Sequence, residues 1–159
     1  MKKLLSILVI GFALVVTGCG SRLRGDTITV CTSAQSSVIN SANDITVTIV
    51  GSNENIVTWT DTITMDIATY EMYFFGVVDY FADDAHIEDW FAQWGDPTTG
   101  LSWHLLSVEG DTLTFDAVFH YEYLTDAEIS EFWGIDAAQV TVTLGILDLE
   151  YLGASCTTN

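Results

Sequence analysis

The sequence predicts an α+β fold, an antiparallel sheet built from two hairpins with helices packed on one face. In two regions, residues 44–67 and 101–123, apolar side chains alternate with threonine and other polar residues, as in half-buried strands. After each region the apolar spacing changes to that of an amphipathic helix, at residues 83–95 and 125–134. The order hairpin, helix, hairpin, helix therefore favours an antiparallel sheet.

Five short segments precede the first helical region. In order they are a strand, a polar loop, a strand, a turn and a strand: residues 27–31, 32–43, 44–50, 51–55 and 56–67. The turn has the sequence GSNEN, which is typical of a hairpin. In the strand that follows it, Asp61 interrupts the apolar face. We therefore expect a β-bulge or an edge of the sheet at this residue.

The region between the two hairpins is predicted to be mainly helical. Residues 68–82 are almost all apolar, which fits a buried helix or a strand, and we favour the helix. Four apolar residues of the next segment lie on one face of a helix: Ile87, Trp90, Phe91 and Trp94. Asp83 and Asp84 suit the N-terminus of this helix, and Gly95 ends it. Residues 96–100 follow as a loop.

The second hairpin consists of strands at residues 101–108 and 112–123, joined by the turn EGD. Thr125 and Glu128 have the spacing of a capping box, in which each residue bonds the backbone of the other at a helix N-terminus. We expect a short helix here, ended by Gly134.

The last part of the chain has the weakest pattern. Val140 and Val142 suggest a strand. Residues 144–152 fit either a strand or a helix that ends at Gly153.

The first residues have the layout of an export signal. Lys2 and Lys3 give a positive start, residues 4–17 contain no charge, and small residues precede Cys19. This apolar run is too short for a spanning helix, which needs about 20 residues. The chain is therefore divided into a removed signal peptide, a tether and a single α+β domain: residues 1–18, 19–26 and 27–159.

The end of this signal, VTGC at residues 16–19, resembles the lipobox of bacterial lipoproteins, with valine where leucine is commonest. The resemblance implies that the thiol of Cys19 is alkylated with diacylglycerol. Cleavage then makes Cys19 the first residue of the mature protein. Two acyl chains, such as palmitate, suffice for stable anchoring. The expected location is the extracytoplasmic face of the cell membrane.

Acidic side chains dominate the charge of the chain. It has 22 aspartates and glutamates, 4 lysines and arginines, a net charge of −18 at pH 7, and no lysine or arginine after Arg24. Nucleic acid is excluded as a partner, because binding to phosphates needs clustered basic side chains. The acidic surface either serves solubility alone or attracts cations such as Ca²⁺ or a basic partner.

Two cysteines are left once Cys19 carries lipid. Because an exported chain meets an oxidising environment, we expect Cys31 and Cys156 to form a disulfide that joins the first strand to the C-terminal end. The alternative is a pair of free thiols. Neither residue belongs to a CxxC pair, so no redox role is expected.

Few residues could carry chemistry. His104 and His120 lie on the two strands of the second hairpin and could bind a metal from one face. A two-residue loop, GD, would place them on opposite faces, whereas a three-residue loop would place them on the same face. The motifs of nucleophilic serine catalysis, phosphate binding and EF-hand calcium binding are absent from the sequence. We therefore predict no catalytic residue, no metal ligands and no cofactor.

The five tryptophans and six tyrosines could form a face that binds sugar or peptide through flat apolar rings. We favour a place in the core for most of them. Four tryptophans fall on apolar faces of predicted helices or strands: Trp59, Trp90, Trp94 and Trp133.

In this order of features, the chain resembles the YehR-like family of small bacterial lipoproteins. The shared features are the lipobox cysteine Cys19, Cys31 soon after the tether, a hairpin leading to a helix, the strand pair GLSWHLLSVEGDTLTFDAVFHYEY and a short helix with an acidic cap. The resemblance covers most of residues 27–156. Members of the family are typically rich in lysine, whereas this chain has none after Lys3. The resemblance implies no catalytic residues.

These features predict a lipid-anchored cell-envelope lipoprotein with a binding or structural role. A binding module should show an exposed cluster of tryptophan and tyrosine side chains. One alternative is a protein that binds Ca²⁺ or Zn²⁺, which requires His104 and His120 on one face with a carboxylate. The other is an envelope hydrolase, which requires acids that converge in a cleft.

Overall fold

The computed structural model describes residues 25–33, 44–81 and 83–159. The predicted signal peptide, the lipidation of Cys19 and most of the predicted loop at residues 32–43 lie outside the described residues. The described part contains six strands and four α-helices, in this order: β1 (Asp26–Ser33), β2 (Asp44–Ser52), β3 (Asn55–Asp66), α1 (Ile67–Phe75), α2 (Asp84–Ala92), β4 (Leu101–Glu109), β5 (Thr112–His120), α3 (Asp126–Trp133), α4 (Val142–Tyr151) and β6 (Ser155–Thr158). None of these helices is long and apolar enough to cross a membrane.

The strands form one antiparallel sheet in the order β4-β5-β3-β2-β1-β6. In the β2–β3 hairpin, the loop residues Asn53 and Glu54 have φ angles of 50° and 74°. Positive φ at both loop positions gives the twist that closes a two-residue hairpin. The prediction of an antiparallel sheet built from two hairpins is confirmed, and β1 and β6 extend the sheet beyond them.

One face of the sheet, called here the core face, is apolar and carries the helices. Its buried residues alternate along three neighbouring strands: Ile45, Val47, Ile49, Ile63, Met65, Leu113 and Phe115. Tyr70 of α1 and Phe91 of α2 pack against Phe115, with ring centroids 5.3 and 5.4 Å apart. Trp133 of α3 meets the ring of Trp59 edge-on at 5.5 Å. The predicted packing of helices on one face is therefore confirmed.

The opposite face of the sheet, called here the outer face, is rich in threonine. Thr46 is paired with Thr62 across β2 and β3, and Thr64 with Thr114 across β3 and β5. The hydroxyls of the second pair are 3.1 Å apart. β-Branched side chains suit such a half-buried surface.

Asp61 does not mark a bulge or an edge, so that expectation is wrong. β3 is an interior strand, and Asp61 is in register with Val47 on one side and Ala117 on the other. The irregular positions lie elsewhere, between Val50 and Gly51 and between Leu105 and Ser107. The acid is therefore accommodated within a regular strand of the core face.

The C-terminal part differs from the predicted strand at Val140 and Val142. Val142 is the first residue of helix α4, because the side chain of Thr141 caps it by accepting a hydrogen bond from Leu144 N at 3.1 Å. The helix packs so closely that a Cβ on Gly145 would lie 2.8 Å from the Trp59 ring. The helical alternative for residues 144–152 is thus correct.

The other helices follow the predictions closely. Helix α1 occupies the first half of the region at 68–82, and the favoured helix is confirmed there. Helix α3 has the predicted capping box between Thr125 and Glu128 and ends at Gly134, whose φ is 69°. Strand β5 ends at His120, and a single 3₁₀ turn, Tyr121–Tyr123, replaces the predicted end of the strand.

The disulfide between Cys31 and Cys156 is present, as predicted. The two residues are directly opposite each other in the β1–β6 pairing, and their Cα atoms are 4.0 Å apart. Because they are 125 residues apart in sequence, the chain-entropy model gives a stabilisation of roughly 4 to 5 kcal/mol. The bond therefore holds the short strand β6 at the edge of the sheet.

Candidate functional site

Three groups of side chains could carry function: a histidine cluster on the outer face, a carboxylate on the core face, and a set of exposed aromatic rings beside α1 and α2.

The histidine cluster consists of Ser102, His104 and His120. The hydroxyl of Ser102 lies 2.9 Å from Nε2 of His104 and 3.0 Å from Nε2 of His120. The two histidines thus share a face, although the loop between β4 and β5 contains only Gly110 and Asp111. The bulge between Leu105 and Ser107 adds one residue to β4 and so reverses the expected effect of a two-residue loop.

The single hydroxyl proton of Ser102 limits how this cluster can be bonded. Ser102 can donate to at most one imidazole, so at least one of the two rings donates its Nε2 proton to the hydroxyl. Ser102 is 0% exposed, which makes its hydroxyl inaccessible as a nucleophile. We conclude that the cluster joins β4 and β5 on the outer face.

A carboxylate near the histidines is already engaged. Asp116 is in register with His104, but its carboxylate accepts a hydrogen bond of 2.6 Å from the hydroxyl of Thr62. Among the described residues, no group of three or more histidine, cysteine, aspartate or glutamate side chains could hold a metal ion. The two histidines that were considered as alternative metal ligands therefore come together, but without a third ligand among the described residues.

The carboxylate on the core face is Asp61. It accepts a hydrogen bond of 2.7 Å from Nε1 of Trp59. Burial raises the pKa of Asp61 to about 6, and the bond from Trp59 only partly opposes this rise. A carboxyl group with such a pKa could exchange a proton near neutral pH.

Aromatic residues surround this carboxylate. The ring of Trp59 packs against Trp133, whose Nε1 donates to the hydroxyl of Tyr121 at 2.8 Å. Burial raises the pKa of Tyr121 to about 12, and the charge of Asp61 adds to the rise. No second carboxylate is hydrogen-bonded to Asp61 within the described residues. In the sequence, the feature that marked Asp61 was its position as an acidic residue on the apolar face of a predicted strand.

The third group, called here the aromatic patch, consists of Tyr73, Phe74, Tyr80 and Trp94. Each of these side chains is between 37 and 49% exposed, and Val77 and Val78 in the same region are also exposed. Large exposed apolar patches are uncommon on monomeric domains and often mark interaction sites. The patch is therefore the strongest candidate for a binding surface.

A packed layer of rings supports the aromatic patch from below. Phe74 meets Trp103 edge-on at 5.6 Å, Tyr80 stacks on Phe75 at 3.8 Å, and Trp94 lies 5.8 Å from Trp90. Tyr70 lies in this layer, and its hydroxyl accepts a hydrogen bond of 3.0 Å from Nε1 of Trp90. The exposed rings are thus held on a rigid base.

The loop that carries Tyr80 is fixed by the buried carboxylate of Glu71. This carboxylate accepts hydrogen bonds from Asp79 N at 2.8 Å and from Phe81 N at 2.5 Å. Asp79 has a φ of 67°, which is unusual for a residue other than glycine. A buried acid with two backbone donors is well satisfied, so it holds the loop in one conformation.

The aromatic patch differs from the expectation for the tryptophans. Trp59, Trp90 and Trp133 are partly buried against the core, as expected, whereas Trp94 is 49% exposed. The other members of the patch belong to the apolar region at 68–82 and were not recognised from the sequence. The signal was present in YEMYFFGVVDYF, because a nine-residue helix cannot bury rings on all its sides.

The fold and these sites define an α+β domain with an exposed aromatic surface. No protein-family model and no curated protein matches the chain. One similar solved structure is the NMR structure of a protein from Streptococcus pneumoniae TIGR4, with 14% sequence identity, 99% coverage of each chain and a TM-score of 0.48. A likeness at this level supports no conclusion about fold or function.

Proposed function

We propose that this protein is a lipid-anchored, non-catalytic domain on the extracytoplasmic face of the cell membrane, and that it binds its ligand through the aromatic patch. The observation that carries the binding role is the exposure of four rings that pack on one layer of aromatic side chains. Aromatic side chains offer large contact areas and lose little conformational entropy on binding. The family proposed with this function is the YehR-like lipoproteins.

The anchoring part of the proposal rests on the lipobox that ends at Cys19. The predicted tether, residues 19–26, would connect the lipid to strand β1, which begins at Asp26. At about 3.5 Å per extended residue, this tether is at most roughly 30 Å long. The domain would thus stay close to the membrane surface.

Mass spectrometry of the protein extracted from membranes tests the anchor. We expect a mass that begins at Cys19 and includes a diacylglyceryl group, and we expect the Cys19→Ser variant to lose both the group and the membrane association. A soluble wild-type protein with an unmodified thiol would contradict the anchor without affecting the binding role.

A thermal-shift screen tests the binding role, with glycans, short peptides, Ca²⁺ and Zn²⁺ as probes. We expect a glycan or peptide to raise the Tm of the wild-type protein and of the Tyr151→Ser variant. Tyr151 is 88% exposed and lies outside the aromatic patch, so it is a matched control. The variants Tyr80→Ser and Trp94→Ser should lose the shift. An equal shift in all four proteins would place the ligand elsewhere.

The same screen addresses the metal alternative. A shift with Zn²⁺ that is lost in His104→Ala and His120→Ala would favour the metal-binding protein. The structure supplies two imidazoles for it on one face but no third ligand within the described residues.

A further inference from the structure

Strand β4 forms one edge of the sheet, and part of that edge is free. The carbonyl of Gly100 accepts a hydrogen bond from His120 N at 2.9 Å, so even-numbered residues at this end of β4 direct their backbone groups to β5. Odd-numbered residues point outward, as shown by Leu101 O, which accepts from the Thr99 hydroxyl, and Trp103 N, which donates to Trp94 O. By this alternation the N–H and C=O of Leu105 also point outward. No described group bonds to them.

A groove runs along this free edge. Its volume is about 560 Å³, and it lies between α2 and residues 103–108 of β4. The wall on α2 includes Asp84, Glu88 and Phe91. Asp84 and Glu88 are one turn apart and exposed, so they face the groove together. The groove thus combines free backbone groups, an apolar floor and two carboxylates.

We propose that an extended peptide segment rich in lysine or arginine binds in this groove as an added strand on the edge of β4. Strand addition uses backbone hydrogen bonds for affinity and side-chain pockets for specificity. The carbonyl of Trp103 and both backbone groups of Leu105 provide the hydrogen bonds, and the carboxylates of Asp84 and Glu88 select basic side chains. The proposal goes beyond ligand binding at the aromatic patch and can hold without it.

Charge determines which partner fits. The chain has 22 acidic residues and no lysine or arginine after Arg24, so the described domain has no lysine or arginine to neutralise the groove. The same acidity opposes pairing of β4 with β4 of a second copy. Natural edge strands are often protected by lysine, proline or a bulge. β4 has the bulge but contains neither lysine nor proline.

The probe for the test is a short capped peptide in which valine and lysine alternate. Binding is measured by tryptophan fluorescence, since Trp103 lines the groove, and by amide hydrogen exchange at Leu105. We expect saturable binding and slower exchange at Leu105. A valine–glutamate peptide should not bind. The valine–lysine peptide N-methylated at consecutive residues should not bind either, because it lacks backbone donors on both edges.

Two charge-reversal variants locate the site. The variant Asp84→Lys/Glu88→Lys should bind the lysine peptide about tenfold more weakly or worse. Its matched control is Asp126→Lys/Glu131→Lys, which makes the same charge change on the exposed surface of α3. We expect this control to bind nearly as well as the wild-type protein.

Several results would overturn the proposal. Equal weakening in both charge variants would indicate unspecific attraction, and undiminished binding of the N-methylated peptide would exclude strand addition. Loss of binding in Trp94→Ser alone would move the peptide to the aromatic patch and support the proposed function instead. If the lysine peptide does not bind, or if the protein instead forms a concentration-dependent dimer paired through β4, the proposal of a basic peptide at this edge is rejected. Neither result bears on ligand binding at the aromatic patch.

Discussion

The Asp61→Asn substitution should make the protein more stable above pH 6, and this gain should shrink towards zero as the pH falls below about 4. Burial raises the pKa of this carboxyl from 3.8 to about 6 in the folded state. A difference of about two pH units between the unfolded and folded pKa corresponds to about 3 kcal/mol. Because the side chain is not fully enclosed, we take this figure as the upper limit of the effect.

The direction follows from proton binding. Between about pH 4 and pH 6 the folded state binds a proton that the unfolded state releases, and this favours folding. The contribution is complete below the unfolded pKa and is lost as the pH rises through about 6. Above that pH the wild-type protein must bury a charge. Asparagine carries none and can still accept the hydrogen bond from Trp59.

Urea denaturation of both proteins at pH 4.5 and pH 8 measures the effect. We expect the variant to gain up to about 3 kcal/mol at pH 8 and only about 1 kcal/mol at pH 4.5. Glu131→Gln, an exposed substitution on α3 that also removes one negative charge, controls for the change in net charge. A gain of equal size at both pH values, or a similar gain in the control, would refute the reasoning.

Three further predictions concern the frame of the fold. Alkylation without reduction should label neither Cys31 nor Cys156, and replacing both with alanine should lower the free energy of unfolding by roughly 4 kcal/mol; labelling of both thiols would contradict the disulfide. Gly145→Ala should lower the Tm, with a cost of about 1 to 3 kcal/mol, because the new Cβ would lie 2.8 Å from a tryptophan ring; an unchanged Tm would mean that the ring moves freely. Glu71→Ala should speed amide exchange in the loop at 76–81 with little change in β2, whereas equal acceleration in both would indicate global destabilisation.

The sequence was most informative where local chemistry and packing require the same structure. The alternation of threonine with apolar residues predicted the central strands, because each face of the sheet has one environment. The capping box at Thr125 predicted a helix start, because its bonds are local. By contrast, α4 depends on contact with the sheet. Its β-branched valines suggested a strand. Gly145 allows the helix to approach Trp59 closely, but nothing in the sequence around this glycine indicates that contact.

The sites were harder to predict because they depend on register. A single extra residue, at the bulge between Leu105 and Ser107, decides that His104 and His120 share a face. Such a bulge has little local signature, so the length of the loop alone gave the wrong geometry. Strand β6 was missed for a similar reason, because its four residues are held by the disulfide and by pairing with β1.

Because the described domain contains no lysine or arginine, its buried carboxylates are hydrogen-bonded by neutral donors. Asp61 is bonded by an indole N–H, Glu71 by two backbone N–H groups, and Glu54 by the hydroxyl of Thr143 at 2.9 Å. One oxygen of Glu54 is buried without a partner among the described residues. A domain with lysine or arginine could have paired such groups internally, at the cost of desolvating both charges. Here the acids that are not bonded by neutral donors remain at the surface, where Asp84 and Glu88 can attract a positive charge from another molecule. The same composition from which we expect no nucleic-acid partner is thus the basis for proposing a basic peptide at the edge of β4.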